Sequence, residues 1–409
     1  MNATIITIGD EILSGKTVDT NSSFISKVLR DIGVKTTYKC TVSDSKELII
    51  SSLEKALSNS NMVFITGGLG PTKDDLTMYT LAEYFDSAIE RDQELFERLQ
   101  AYFEKRKRAF DPLNHTQADF PVKAGKIYND RGTATGMRFE KDKKLVFSMP
   151  GVPHEMQFMM QGQIKDQIRS FYNLKPLLIK DVQTIGIAEA KLARLLEPLN
   201  LESYGVSVAY LPKLGRVTLR FYHDEIQVDL VETLVDKVRG VVSEYIYSTK
   251  GLDIAEFIAN RLSQTEQTLS LAESCTGGYL SHLLTMVPGS SKFFMGGNIV
   301  YSNLSKMKEL KVSEDLLLSK GAVSEEVVYQ MALNTKSKYG TDFAIAISGI
   351  AGPEGGSAIK PVGTVCFGLA TPTQVITRTY QLGHLRKLNI ELAAVQALRL
   401  LWKYGLSNK

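Results

Sequence analysis

Cysteine and net charge are both scarce in this chain, and each scarcity excludes something. Three cysteines, Cys40, Cys275 and Cys366, lie far apart among 409 residues. That spacing rules out a disulfide framework and a zinc module, and they read as reduced thiols of a cytoplasmic protein. No apolar run is long enough to cross a membrane. The start, "MNATIITIGDEIL", lacks the basic segment of a signal peptide, so a cytosolic protein is expected. Lys and Arg number 48 against 45 Asp and Glu, a formal charge of +3. This argues against nucleic acid as a partner, and the one basic run, "FEKRKRAF", reads as a solvated helix face. Neither a G-x-G-x-x-G nor a P-loop motif occurs, which leaves a dinucleotide fold and a P-loop ATPase unsupported.

What is present is an α/β pattern repeated in three blocks, as the length leads one to expect. "ATIITIG", "NMVFITGG" and "KLVFSMPGVPHEM" read as buried strands alternating with amphipathic helices such as "TNSSFISKVLRDIG". This alternation predicts a parallel sheet with helices on both faces over residues 1–170. Residues 171–249 read as a small α+β module of strand, helix, paired strands and helix. Its "GIAEA" is not the GXXG clamp of an RNA-binding KH module, and a spacer or docking role is favoured. Residues 250–409 return to α/β, from the "LAESCTGGYLSHLL" stretch to a last amphipathic helix near Trp402.

Loops at strand ends carry the candidate chemistry of the first block. Gly9 in "GDEILSG" and Gly67, Gly68 and Gly70 in "TGGLGPTKDD" free the backbone to approach a phosphate. Asp10, Glu11, Asp74 and Asp75 supply hard oxygen donors for a divalent metal of the Mg, Mn or Co type. Together they suit a metal–diphosphate complex; the alternative is turn glycines and helix-capping aspartates. "NDRGTATGM", with Thr133, and "SMPGVPHEM", with Pro150 and Gly151, add further small-residue loops, and His154 and Glu155 open a helix there.

These motifs, "GDEILSGKTVDTNSSFIS", "TGGLGPTKDDLT", "NDRGTATGM" and "PGVPHEM", resemble the N-terminal domain of the CinA family, itself similar to molybdopterin-binding proteins of the MoaB/MogA type. "LAESCTGGYLSHLL", "VPGSSKFFMGGNIVYSNLSK", "KGAVSEE" and "SGIAGPEGGSAIKPVGTV" resemble that family's C-terminal domain, a nicotinamide mononucleotide (NMN) deamidase. The resemblance implies a KH-type fold for the middle module and a homodimer. For the first domain it implies metal-dependent hydrolysis of ADP-ribose to AMP and ribose 5-phosphate.

Within "LAESCTGGYLSHLL" the chemistry narrows to Ser274. It precedes Gly277, Gly278 and an apolar-periodic run, which predicts a position at a helix N-terminus with free N–H groups from Thr276 to Gly278 for an oxyanion. His282 falls about 12 Å further along the same helix by rise alone, too far to be its base. Cys275 reads as a small, partly buried thiol. "VYSNLSK" sets Tyr301 and Lys306 in a polar loop, and the resemblance implies that Ser274, Tyr301 and Lys306 are the deamidase's catalytic residues. Lys306 then takes the serine proton, Tyr301 orients the lysine, and no cofactor is needed. Gly289, Ser290, Gly296, Gly297, Gly349, Ala351 and Gly352 are expected to line the pocket, and Glu273 either orients the loop or caps the helix. Relatives tend to read Gly-Asp-Arg near the C-terminus where this chain has "LGHLRKLN": Leu385 falls where the arginine is expected, with Arg386 one place later. The competing readings are a nucleotide sensor with degenerate pockets and a molybdopterin-binding protein.

Overall fold

Burial is continuous along β1 (Asn2–Ile8) from Ala3 onward, so side chains on both of its faces are covered. Ala3 and Ile5 join one apolar cluster, whereas Ile6 and Ile8 join another on the opposite face. A strand buried on both sides must lie inside a sheet covered twice. In the computed structural model, which describes residues 1–72, 75–174, 178–223 and 227–406, that sheet has six strands. After β1 come α1 (Asp10–Leu13), α2 (Asn21–Asp31), β2 (Lys35–Val42), α3 (Lys46–Asn59), β3 (Met62–Thr66), α4 (Thr77–Tyr84) and β4 (Ile89–Arg91). Then follow α5 (Gln93–Lys105), β5 (Asp119–Pro121), β6 (Gly125–Ile127), β7 (Gly136–Lys141), β8 (Lys144–Met149), α6 (Pro153–Met159) and α7 (Lys165–Tyr172).

The sheet order is β2-β1-β3-β8-β7-β6, with β4 and β5 paired separately. The first four strands are parallel, but β7 runs antiparallel to both β8 and β6. The purely parallel sheet expected from the sequence is therefore corrected to a mixed one. Short, directly connected strands form hairpins, whereas parallel neighbours need a crossover.

Chain contacts divide the molecule into two units, Met1–Leu178 and Ile179–Lys409. The second unit opens with β9 (Leu178–Ile185), α8 (Glu189–Leu196), β10 (Ser207–Lys213), β11 (Arg216–His223), α9 (Val228–Val242) and β12 (Ile246–Ser248), whose strands form one sheet in the order β10-β11-β9-β12. Its remainder is α10 (Ile254–Gln264), β13 (Leu269–Glu273), α11 (Tyr279–Thr285), β14 (Phe294–Ile299), α12 (Asn303–Leu310), α13 (Glu314–Lys320), α14 (Glu325–Tyr339), β15 (Phe343–Gly349), β16 (Thr364–Ala370), β17 (Val375–Gln381) and α15 (Arg386–Leu401).

Strand order there is β14-β13-β15-β16-β17. β14, β13 and β15 are parallel, and β16 and β17 are antiparallel. Alternation again sorts the residues: Leu269, Leu271, Ile345 and Ile347 face one cluster, and Ala272, Ala344 and Ala346 face the other. The small residues lie on the α14 side, where a Cβ on Gly368 would overlap the Val328 carbonyl, so the helix packs close. Among the described residues no helix is long and apolar enough to cross a membrane.

Candidate active sites

Ligands of open α/β sheets sit beyond the carboxyl ends of parallel strands, and both units follow this rule. In the first unit the ends of β1, β2, β3 and β8 surround a cavity of about 510 Å³. It is lined by the expected Gly9, Glu11, Gly67, Gly68, Gly70, Asp75, Thr133, Pro150 and Gly151. Gly67 (φ +114) and Gly68 (φ +67) hold left-handed backbone, and a Cβ on either would overlap the Ile8 carbonyl or the Thr77 hydroxyl. Glycine is required there by space as well as by backbone angle.

The carboxylates are only partly as expected. Asp10 is exposed in α1, Asp75 accepts from the Thr72 amide at 3.0 Å, and Asp74 lies outside the described residues. Sequence reasoning missed Asp44, which lines the cavity just after β2. Burial, followed by the charges of Asp10 and Glu11 and then that of Asp75, holds its carboxyl above the usual range. Oxygen donors under mutual repulsion suit a hard cation. Yet among the described residues no three such side chains stand close enough to hold one. Asp10, Glu11 and Asp75 as placed are only part of the expected set, since Asp74 lies outside the described residues. Also missed was Asn21, read only as part of a helix start. Its amide nitrogen donates to the Gly151 carbonyl (2.8 Å) and Thr66 Oγ1 (3.0 Å), tying two strand ends together. Glu155 accepts from Asn129 at 2.5 Å and lines the cavity, whereas His154 is exposed.

In the second unit three adjacent strand ends converge. Ser274 follows β13, Tyr301 follows β14, and Gly349 ends β15 ahead of Ala351 and Gly352. The Ser274 amide donates to the Ile347 carbonyl at 3.0 Å, which stitches its turn to the neighbouring strand. Ser274 is 7% exposed and Lys306 only 1%. Lys306 is not in a loop, as expected, but in the first turn of α12, whose start is capped by Ser302. Its Nζ lies 3.0 Å from Ser274 Oγ, 2.8 Å from the Val300 carbonyl and 3.2 Å from the Tyr301 carbonyl.

No carboxylate is among these neighbours, and burial lowers the Lys306 pKa to about 8. A neutral amine has two N–H donors and one lone pair. The two carbonyls take the donors, which leaves the lone pair for the serine hydroxyl proton. That is the geometry a serine nucleophile needs from its base.

Three further expectations are corrected. Ser274 is not at the helix N-terminus: α11 begins at Tyr279, after Gly277 and Gly278 adopt left-handed conformations. The Gly277 amide donates to the Ser274 carbonyl and the Gly278 amide to Glu273, so neither is free for an oxyanion. Among the described residues no backbone carbonyl accepts from the Cys275 or Thr276 amide in this turn. Tyr301 touches Lys306 through its carbonyl rather than its hydroxyl, and the residue is 60% exposed. The hydroxyl instead accepts from Arg386 Nη2 at 3.1 Å, while Nη1 donates to the Gly352 carbonyl at 2.8 Å. Arg386, at the start of α15, thus reaches the site that Leu385, 66% exposed, does not enter.

The remaining pocket residues divide. The Ala351 and Gly352 carbonyls are held by Asn389 and Arg386, beside Gly349. Gly289 and Ser290 lie past the far end of α11, away from Ser274. A Cβ on Gly296 would meet Tyr339, and one on Gly297 the Leu271 carbonyl. They allow close packing of β14 rather than line the pocket. Glu273 is saturated by its own chain and is not a ligand for substrate. Cys275 is buried, and that burial pushes its thiol up to about 12, which keeps it protonated. His282 is exposed.

Comparisons with known proteins match three successive segments of the chain. Residues 4–170 match the model described as "Probable molybdopterin binding domain", 180–248 "Damage-inducible protein CinA KH domain", and 252–404 "CinA C-terminal domain". A CinA-like protein of Cytophaga hutchinsonii is 37% identical over 97% of this chain and 96% of its own length. Those of Flavobacterium psychrophilum (36%; 100% and 99%) and Chloroherpeton thalassium (39%; 93% and 92%) are similar over nearly as much or more of both chains.

Proposed function

Because the chain belongs to the CinA family, we propose that its C-terminal module hydrolyses the carboxamide of NMN to nicotinate mononucleotide and ammonia. The observation that carries this reading is the 3.0 Å approach of buried Lys306 Nζ to Ser274 Oγ. Ser274 Oγ attacks the carboxamide carbon while its proton passes to Lys306. The oxyanion meets the Cys275 and Thr276 amides, and the lysine returns the proton to the departing nitrogen as ammonia leaves. Water, deprotonated by the same lysine, then releases the acid and frees the serine. Arg386 and the Tyr301 hydroxyl, at the rim, suit the phosphate of the nucleotide.

The N-terminal cavity is proposed to take ADP-ribose and cleave its diphosphate, with Asp44 as the carboxyl poised for proton transfer. The description of the matching model favours a second reading there, a pterin ligand. Titrating the full chain with each compound separates the two.

The decisive test of the first proposal is ammonia release from NMN by metal-stripped protein, beside Ser274→Ala and Cys275→Ala. Release is expected from wild type and the cysteine variant, with a loss of about 10³-fold or more in the serine variant. Equal rates in all three proteins would remove Ser274 as the nucleophile.

A further inference from the structure

The turn that carries Ser274 does little to hold itself in place. Among the described residues its own bonds are few: the Ser274 amide donates to the Ile347 carbonyl, the Gly277 amide to the Ser274 carbonyl and the Tyr279 amide to the Thr276 carbonyl, beside the approach of Lys306 Nζ to Ser274 Oγ. Among the described residues the buried Thr276 hydroxyl has no hydrogen-bond partner. The helix that follows has no capping side chain, because its N-cap is Gly278.

Glu273 supplies what both lack. It ends β13 and is 1% exposed. One carboxylate oxygen accepts from the Gly278 amide (3.1 Å) and the Leu280 amide (3.0 Å). The other accepts from the Ser281 amide (2.8 Å) and hydroxyl (2.6 Å). Four donors on two oxygens require a group that only accepts, which a carboxylate is and an amide is not. Among the described residues no ion pair involves Glu273, and its carboxylate is met by three backbone amides and the Ser281 hydroxyl. The Glu273 carbonyl also accepts from the Val300 amide at 2.8 Å, and the Val300 carbonyl is in turn a partner of Lys306. One residue thus touches both sides of the serine–lysine pair.

We propose that Glu273 is a positioning residue for the Ser274 reaction: by clamping the start of α11 against the end of β13 it sets the 274–277 turn, so that Ser274 Oγ faces Lys306 and the Cys275 and Thr276 amides face the developing oxyanion. This rests on the reading of Ser274 as the nucleophile. It does not depend on NMN being the substrate. Glu273 acts through the turn and touches no reacting atom.

The test uses the full chain with Glu273→Gln and Ser281→Ala. Gln keeps the size but presents an NH2 group to two amide donors. Ser281→Ala removes one bond to Glu273 and leaves every group around Ser274 in place. Two rates are read: NMN hydrolysis, resolved into kcat and KM, and labelling of Ser274 by a fluorophosphonate, which reports nucleophile and oxyanion site without the substrate. Glu273→Gln is expected to lower kcat and labelling together by about tenfold or more, with KM changed less than about twofold. Ser281→Ala should lower both by a few-fold, with no further loss when added to Glu273→Gln. The pH at which activity rises should not move, since Lys306 is unaltered.

Unchanged kcat and labelling in a folded Glu273→Gln protein would overturn the proposal, as would an effect confined to thermal stability. If Glu273→Gln does not fold, Ser281→Ala decides by the same two rates. A wild type labelled at Ser274 but inactive on NMN refutes the substrate and leaves the labelling comparison to decide this inference. A wild type that is neither labelled nor active refutes the nucleophile and this proposal with it.

Discussion

Lys306 Nζ stands 3.0 Å from Ser274 Oγ although 32 positions separate them in the chain. The approach exists because β14 lies beside β13 in the sheet, so the segments leaving their carboxyl ends meet. Around the amine are two carbonyls and the hydroxyl, with no countercharge, and burial lowers its pKa to about 8.

A pH dependence of activity follows. Lys306 accepts a proton only when neutral, so kcat/KM for NMN should rise with pH and level off above an inflection near about 8. A pH–rate profile of the full chain checks this. A profile flat from pH 6 to 9, spanning that inflection, would mean that Lys306 is not the base.

Stability should carry the same signature. The folded pKa of Lys306, about 8, lies below its ordinary 10.5, so between these values the unfolded chain binds more protons than the folded one. Stability attributable to this group therefore rises with pH across that window and is lowest below it. Lys306→Met removes the charge and keeps the apolar stem. It should abolish hydrolysis yet be at least as stable as wild type at pH 7, with the advantage shrinking as pH rises toward 10.5. Urea midpoints of both proteins against pH measure it.

Arg386 predicts a binding defect. Its guanidinium bridges Tyr301 and the Gly352 carbonyl at the rim and, among the described residues, makes no hydrogen bond to Ser274 or Lys306. Arg386→Ala should raise KM for NMN by about tenfold or more and leave fluorophosphonate labelling of Ser274 nearly unchanged. Equal loss in both would place the arginine's role in the chemical step.

Asp44 predicts independence of the two sites. Asp44→Asn keeps the shape of a group held above the usual carboxyl range by burial and by Asp10, Glu11 and Asp75. ADP-ribose hydrolysis should fall by about 10²-fold, the scale of a lost acid–base group, with NMN hydrolysis unaltered. Ser274→Ala should do the converse. Parallel assays on the same preparations check both directions.

Much of this architecture is legible in the chain itself. Apolar alternation in "ATIITI" and "FAIAIS" reports strands buried on two faces, and the small-residue loops that follow mark where ligands approach. Ser274, Lys306 and the glycines of the first cavity stand out from local chemistry or family motifs. What escaped depended on partners distant in sequence. Asp44 follows β2, a strand too exposed to announce itself, and matters only because β2 lies beside β1. The start of α11 was misplaced because apolar periodicity does not see two left-handed glycines or a cap supplied by Glu273. Local sequence determines which faces are buried and which turns are allowed, since those depend on neighbours a few residues away. Only the sheet order decides which strand ends meet, and that order is set by backbone hydrogen bonds between remote segments. Those bonds place Lys306 against Ser274, and Arg386 against Tyr301 by way of the β15 loop.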